Sequence, residues 1–226
     1  MFSGDAYSMS GDGAYFAHDP TTNAMPDMTV PTANGGGCVT AGPFKDWVVN
    51  LGPVLPTLYK NGSSYVEPNP QPDGLGYNPR CLRRDINPYP AKWTTDQVTA
   101  DLIRNNADPY WFITNMQGDF PNQYMGIHTG GHFTIGGDPG GDFFASPGEP
   151  VFWLHHGMID RVWWIWQNQD LKNRQYSIGG TITFANNPPS RNATLDDYID
   201  LGPSGAPITI RSASSTMGGK FCYVYI

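Results

Sequence analysis

Basic side chains and long apolar runs are both scarce in this 226-residue chain. Its 13 Lys and Arg stand against 20 Asp and Glu, a formal net charge of −7. Nucleic-acid phosphates are bound by a clustered basic surface, so this balance argues against a nucleic-acid partner. No stretch approaches the roughly 18 apolar residues that cross a bilayer, which argues against a membrane protein. The one local basic group, Arg80, Arg83 and Arg84, is expected to form salt bridges.

Cysteine is rare and odd in number: Cys38, Cys81 and Cys222. In a secreted protein an odd count indicates one disulfide and one thiol whose partner lies elsewhere. Cys38 and Cys81 lie in Gly-, Pro- and Asn-rich loop sequence, which favours their pairing, and three reduced thiols in a cytosolic protein are the alternative. Residues 1–6 have neither the basic nor the apolar region of a signal peptide and are not expected to be one. The glycosylation patterns at residues 61–63 and 192–194 nevertheless favour secretion.

Apolar residues are plentiful enough to build a packed interior. Hydrophobic residues make up 39% of the chain and aromatics 13%. A chain of this length is expected to form a single unit, residues 1–226. Because Gly occurs 27 times and Pro 21 times, much of that unit should be ordered loop. Beyond Asp170 the pattern changes to short β-prone pieces.

Capping signals and hydrophobic periodicity predict helices in the middle of the chain. Thr94 with Gln97 has capping-box spacing, and Glu149-Pro150 is typical of a helix start. The helix after Glu149-Pro150 is apolar on nearly all sides, which predicts that it is buried. Residues 44–51 are compatible with a helix or a strand. The predicted helices cover residues 94–105, 108–116, 121–133 and 150–166.

Four of the five histidines fall in two close pairs, His128 with His132 and His155 with His156. Residues four apart share a helix face, so the first pair can direct two imidazoles at one point. A third imidazole from another helix would complete an all-nitrogen site suited to copper or zinc, and a chance surface pair is the alternative. Adjacent helical residues diverge by about 100°, so only one member of the second pair can face that site.

The stretch 149–156, followed by Asp160-Arg161, resembles the second copper-binding signature of the tyrosinase, catechol oxidase and haemocyanin group. The resemblance implies that the metal ligands are His128, His132 and His156. It also implies a mainly α fold, half or more of a four-helix-bundle copper core with long loops and a few short β-strands. Further segments that resemble filamentous-fungal members, and extend the likeness over essentially the whole chain, are 36–44, 80–84, 136–139 and 223–225.

The resemblance also implies roles around the metal. Phe152, one turn before the third ligand, matches the aromatic residue that stands over the copper, and Phe133 is expected to help form a wall for the phenol. Asp160 is placed to hold an imidazole in its metal-binding tautomer. Thr129 stands where many tyrosinases have Asn or Asp, and Gln117 is aligned with a Glu that helps to hold a water. The neutral amide of Gln117 cannot act as a base, and Thr129 orients a water less firmly than a carboxamide would, which favours diphenol oxidation over monophenol hydroxylation.

The family binds two coppers, and three histidines near its N-terminus hold the first. Only His18 precedes residue 128, so this chain is expected to hold one copper, while an N-terminal segment outside residues 1–226 holds the other. The implied function is that of a secreted fungal polyphenol oxidase that uses dioxygen at a binuclear copper centre to oxidise o-diphenols to o-quinones, with monophenol hydroxylation left open. This chain alone is expected to be inactive. The alternatives are a truncated remnant, a single-copper protein and a haemocyanin-like dioxygen carrier.

Overall fold

A computed structural model describes residues 1–25 and 27–226. They divide into two compact units, Met1–Thr99 with Met116–Ile159, and Ala100–Asn115 with Asp160–Ile226. The prediction that residues 1–226 act as one unit stays a prediction. Within the described part of the chain, no helix combines the length and apolar character that a bilayer crossing needs.

Short antiparallel strand pairs brace the loops of the first unit. The pairs are β1 (Gly13–Tyr15) with β4 (Gly36–Val39), β2 (Thr21–Met25) with β3 (Met28–Pro31), β5 (Val48–Val49) with β8 (Arg80–Cys81), and β6 (Tyr59–Lys60) with β7 (Ser63–Ser64). These strands have two to five residues, so they fasten loops to one another and do not form a broad layer. The ambiguous segment 44–51 contributes β5 and is therefore a strand over part of its length.

Helices supply the longer elements. They are α1 (Pro88–Ala91), α2 (Asp96–Asn105), α3 (Pro109–Gln117), α4 (Gly126–Ile135), α5 (Pro150–Asn168), α6 (Leu171–Arg174) and α7 (Ile210–Ala213). The predictions of a helical core with short strands, and of helices at 94–105, 108–116 and 150–166, are confirmed. The helix predicted at 121–133 lies later in the chain, because a 3-10 turn at Phe120–Asn122 ends at Gln123 in the left-handed region, with φ 56°.

Helix α2 also begins slightly later than predicted. The hydroxyl of Thr94 donates to the carbonyl of Ala91 at 3.0 Å. The hydroxyl of Thr95 accepts from the backbone N–H of Val98 at 3.3 Å, which satisfies one of the free donors of the first turn. Thr95 directly precedes Asp96, the first residue of α2, so its hydroxyl and not that of Thr94 caps the helix.

A buried ion pair holds the start of α5. Glu149 Oε1 accepts from the backbone N–H of Val151 at 3.0 Å, so the carboxylate caps the helix as its position before Pro150 predicts. Arg84 donates to both carboxylate oxygens, at 3.1 and 2.6 Å, and the two side chains are 0% and 2% exposed. The same guanidinium donates to the carbonyls of Met9 and Gly11. The pair therefore joins α5 to the N-terminal segment.

A second ion pair and a disulfide reinforce the loops between β4 and α4. Arg80 donates to both oxygens of Asp138, at 2.6 and 2.8 Å, so the prediction that the local basic group forms salt bridges is confirmed for Arg80 as it is for Arg84. The predicted disulfide between Cys38 and Cys81 is present and joins β4 to β8. Cys222 is free and exposed.

Helix α4 is held from the side by α1 and by a buried apolar cluster. Asn87 caps α1 by accepting from the N–H of Tyr89 at 2.9 Å, and its own N–H donates to the carbonyl of Thr134 at the end of α4. The cluster of buried apolar residues comprises Ala24, Met28, Val30, Trp93, Met125 and Phe133. These contacts fix the position of α4 along its length.

The second unit has its own aromatic core. The rings of Phe112 and Trp166 stack with centroids 4.6 Å apart, and both residues are 0% exposed. The Trp166 indole N–H donates to the carbonyl of Asn106, so the polar edge of this buried ring is satisfied. Strands β9 (Tyr198–Ile199) and β10 (Ile208–Thr209) form an antiparallel pair, in agreement with the β-prone pattern expected beyond Asp170.

The prediction that α5 is buried on nearly all sides is wrong for its first half. Trp153, Leu154 and Met158 are 65%, 48% and 50% exposed. Val151 of the same helix is buried. Helix α5 therefore packs on one face and presents large apolar side chains on another, although its sequence contains few polar residues.

We expect Glu149→Gln to lower the free energy of unfolding by about 3–5 kcal/mol, because the buried Arg84 charge would lose its counter-ion. Urea unfolding of the metal-free protein measures the change. Asp196→Asn is the matched control, since Asp196 pairs with Arg211 at the surface, where the two side chains are 80% and 52% exposed. An exposed pair contributes at most about 1 kcal/mol. Equal losses in the two variants would contradict the role given to Glu149.

Candidate metal centre

Helices α4 and α5 bring three imidazoles to one point. His128 and His132 lie one turn apart on α4, and His156 lies on α5. Their Nε2 atoms are separated by 3.3 Å (His128 to His132), 3.4 Å (His128 to His156) and 3.1 Å (His132 to His156). The structure thus brings together the three histidines that the sequence resemblance assigned as ligands.

This spacing is that of ligands around one metal ion. Three nitrogens bound at about 2.0–2.1 Å in tetrahedral or trigonal geometry lie about 3.3–3.6 Å from one another. Hydrogen bonds cannot account for all three contacts, because each neutral Nε2 either donates or accepts, so at least one pair among the three must be two donors or two acceptors. The donor set, three imidazole nitrogens, suits copper or zinc.

Gln117 fixes the tautomer of His128. Its side-chain oxygen lies 2.6 Å from His128 Nδ1, so Nδ1 carries the proton and Nε2 is free to bind a metal. The hydroxyl of Thr129 donates to the backbone carbonyl of Gln117 at 2.7 Å and so holds the end of α3 in place. The roles predicted for these two residues concerned a water. The contact between Gln117 and His128 was missed because it spans 11 residues and a turn, and no spacing rule signals it.

The environment keeps these imidazoles neutral. Burial, with like-charge repulsion from neighbouring histidines, lowers the pKa of His128 and of His132 to about 3. Burial also lowers the pKa of His155, to about 4, and that of His156. A neutral imidazole is the form that binds a metal, so the site favours metal binding well below neutral pH.

His155 is close enough to the cluster to offer an alternative trio. Its ring lies near those of His128 and His132, and one ligand atom from each of these three residues falls within 4.8 Å of the others. Its Nε2, however, donates to the backbone carbonyl of His128 at 2.9 Å. We favour His156 as the third ligand because its Nε2 is within 3.4 Å of both partners.

The two phenylalanines predicted for the pocket have different positions. The ring of Phe152 stacks on that of His156, with centroids 3.9 Å apart, and lies 5.8 Å from that of His132, so it borders the cluster, while its predicted place over the copper stays a prediction. Phe133 is 7% exposed and packs in the apolar cluster with Trp93. This packing differs from the predicted place in a substrate wall. Phe133 follows His132 on a helix, so its side chain points about 100° away from that of the ligand.

A family profile described as the common central domain of tyrosinase matches residues 1–169. The chain belongs to the tyrosinase family. It is 37% identical over 231 residues to Tyrosinase P of Aspergillus terreus, which covers 100% of this chain and 63% of that protein. It is 34% identical over 227 residues to the N-acetyl-6-hydroxytryptophan oxidase ivoB of Emericella nidulans, covering 96% of this chain and 60% of the relative.

A solved structure supports the same family. Polyphenol oxidase (mutant G292N) from Thermothelomyces thermophila matches with a TM-score of 0.87 and 39% identity, over 100% of this chain and 61% of that one. The chain therefore spans somewhat more than three-fifths of the length of these proteins. The tyrosinase fold, with its helical core and short strands, is shown along the whole of the chain.

Two further residues of this tyrosinase-family chain have partners outside the histidine cluster. Asp160, predicted to hold an imidazole, accepts hydrogen bonds from the hydroxyls of Tyr223 and Tyr225, the latter at 2.5 Å. These bonds fasten the C-terminal Tyr-x-Tyr segment, and the predicted role of Asp160 toward an imidazole stays a prediction. His18 lies in a loop, where its Nε2 is 3.7 Å from Asp85 Oδ1 and its side chain is only 5% exposed.

We expect Gln117→Leu to weaken copper binding about 10- to 100-fold, because it removes the acceptor that holds His128 in its metal-binding tautomer. Gln117→Glu should retain binding, since a carboxylate accepts the same hydrogen bond. Competition titration with a copper chelator measures both, and His156→Ala provides the reference for loss of a ligand. Wild-type affinity in Gln117→Leu would contradict this role.

We expect the metal-free protein to lose stability as the pH falls from about 6.5 toward 4. The folded-state pKa values of His128 and His132 lie below the unfolded value, so the unfolded state binds more protons in this range and the free energy of unfolding decreases. The stabilisation is fully present above pH 6.5. Urea unfolding at pH 7.5 and 5.0 measures the difference, which should be smaller in the double variant His128→Gln, His132→Gln. Equal pH dependence in that variant would rule out these imidazoles as its source.

Proposed function

We propose that this chain forms the second-copper part of an oxidase that converts o-diphenols to o-quinones at the expense of dioxygen. The observation that carries the proposal is the convergence of three Nε2 atoms, 3.1–3.4 Å apart, on a chain of the tyrosinase family. Four electrons and four protons leave two diphenols and convert one dioxygen to two waters. The reaction is therefore balanced without another reductant.

The residues of the chain prepare the site in separate ways. His128, His132 and His156 would hold the copper, which supplies the one-electron redox chemistry when bound. Gln117 keeps a proton on Nδ1 of His128, so that this imidazole remains a metal ligand. Phe152 covers one face of His156 with an apolar ring and limits the access of water from that side.

Diphenols are the preferred substrate class in this proposal. Hydroxylation of a monophenol benefits from a base that first removes the phenol proton. The Thr129 hydroxyl and the Gln117 amide are neutral groups, and each is already engaged, with the Gln117 carbonyl and with His128 respectively. This supports diphenol oxidation over monophenol hydroxylation. The relative named for N-acetyl-6-hydroxytryptophan makes hydroxyindoles a second phenolic class to include in assays.

The second copper is proposed to be held by a further N-terminal polypeptide segment. Four of the five histidines of the chain belong to the cluster around one metal position, and the fifth, His18, hydrogen-bonds to the carbonyl of Asp19 and faces Asp85. The exposed apolar side chains Trp153, Leu154 and Met158 of α5 support a covering segment, since such surface tends to be buried in an assembly.

Secretion also belongs to this proposal. The disulfide between Cys38 and Cys81 is of the kind that persists in oxidising compartments. Asn61, the acceptor of the first glycosylation pattern, lies at the exposed turn between β6 and β7. These two features support a secreted glycoprotein.

The test measures dioxygen uptake and quinone absorbance together. It compares chain 1–226 with the copper-loaded protein that also includes the proposed N-terminal segment, called the full-length protein. We expect the full-length protein to consume one dioxygen for every two quinones formed from catechol, more slowly from tyrosine. The chain alone should give no turnover, because it would hold one copper and not two. His156→Ala in the full-length protein should abolish uptake with every phenol.

Two results would overturn the proposal. Reversible dioxygen binding without quinone formation would identify a carrier. Unchanged turnover in His156→Ala would place the chemistry elsewhere in the protein. A third result, turnover by the rigorously isolated chain 1–226, would overturn only the proposed need for a further segment.

A further inference from the structure

The ring of His155 rests directly on the backbone of α4 at Gly131. A Cβ built on Gly131 would lie 2.2 Å from His155 Cε1, 2.6 Å from its Nδ1 and 2.7 Å from its Nε2. Side-chain carbons do not approach other heavy atoms this closely, so the ring occupies the space that any other residue at position 131 would need. Gly131 lies between His128 and His132 in sequence, inside the helix that carries both of these ligands.

His155 is also fastened to α4 by a hydrogen bond. Its Nε2 lies 2.9 Å from the backbone carbonyl of His128, and since a carbonyl can only accept, this nitrogen carries the proton. The rings of His155 and His128 are nearly parallel, at 10° with centroids 5.6 Å apart. One side chain of α5 therefore contacts both the backbone and a ligand of α4.

This contact sets the distance between the two ligand helices. His155 is adjacent to His156 on α5, so the depth at which its ring meets Gly131 determines where His156 stands relative to α4. The resulting separations, 3.4 Å to His128 Nε2 and 3.1 Å to His132 Nε2, are within about 0.2 Å of those around a shared metal. A metal site tolerates displacements of about 0.5 Å in its ligands. A small change in the seat of His155 would therefore disturb the site.

We infer that His155 is a positioning residue, whose imidazole seated on Gly131 spaces α4 and α5 so that His156 completes the metal site. The inference rests on the proposed three-histidine copper site. It gives the pair of adjacent histidines two different tasks, since His156 binds the metal and His155 places it. It also explains why the helix between the two ligands of α4 carries glycine at position 131, although alanine is the better helix former.

The test is a double-mutant cycle on chain 1–226, with copper binding as the readout. We expect Gly131→Ala to weaken copper binding at least tenfold, because the new methyl group displaces the His155 ring. Gly157→Ala is the matched control: it is the same change in a helix, beside ligand His156, and its Cβ meets no heavy atom within 4 Å. The control should bind copper within about twofold of wild type.

His155→Ala completes the cycle. Alone, it should weaken copper binding about tenfold, the lower end of the range for residues that support ligands, and leave the stoichiometry unchanged. Combined with Gly131→Ala, it should improve binding at least threefold over Gly131→Ala alone, since the displaced ring is gone. His155→Gln, which retains an N–H donor for the His128 carbonyl, should recover part of the loss seen in His155→Ala.

The cobalt-substituted protein separates positioning from ligation. In His155→Ala the number of nitrogens bound to Co²⁺, counted by X-ray absorption spectroscopy, should stay as in the wild type, because the three ligands remain. One bound nitrogen fewer, or loss of the ion as in His156→Ala, would make His155 a ligand and overturn the inference. Equal copper affinity in Gly131→Ala and Gly157→Ala would overturn it as well, and so would the absence of any improvement in the double variant.

Two further outcomes are distinguishable from these. If the wild-type protein binds no metal, the proposed copper function fails. Non-additive effects of Gly131→Ala and His155→Ala on the thermal unfolding midpoint would still show that the His155 ring packs on Gly131, and additive effects would show that it does not. If Gly131→Ala does not fold, refolding in the double variant supports the seat. The copper affinities of His155→Ala and His155→Gln then decide the positioning role. Equal copper affinity in these two variants and in the wild type would exclude that role.

Discussion

The buried pair of Arg84 and Glu149 is the constraint on which the first unit depends. Two charges are kept from water, and each is matched by hydrogen bonds: Glu149 caps α5 through Val151, and Arg84 also binds the carbonyls of Met9 and Gly11. Removing either charge would leave the other buried without a counter-ion. The pair therefore holds together the start of α5, the segment that carries Arg84 and the N-terminal segment. The start of α5, and with it the position of the following histidines, is set by this pair.

The histidine cluster costs the folded chain free energy, because it holds several buried imidazoles close together. Three imidazole nitrogens face one another within 3.4 Å, and burial keeps them neutral. Their orientation is supplied from outside the cluster. Gln117 holds His128, the backbone of Gly140 hydrogen-bonds to His132, and Phe152 stacks on His156. A site prepared in this way needs little rearrangement on binding a metal, which is the usual source of high affinity.

Local signals in the sequence predicted some elements well and others with an error that the structure explains. Glu149 before Pro150 marks the start of α5 because capping is a property of neighbouring residues. Thr94 and Thr95 carry equivalent hydroxyls, and only the structure distinguishes them: Thr94 contacts Ala91, whereas Thr95 caps α2. The burial of α5 was overestimated because a helix rich in Trp, Leu and Met indicates which faces are apolar, but not which of them have a partner.

The sequence by itself indicated the family and, through that resemblance, the three candidate ligands, and its loop composition favoured the pairing of Cys38 with Cys81, because these depend on residue type and order along the chain. Only the tertiary structure decided the partner of Gln117, the core position of Phe133 and the seat of His155 on Gly131. Each of these contacts joins segments that are separated by turns, so the approach of two helices determines them. Spacing identifies which imidazoles can meet, whereas packing between helices determines how closely they do.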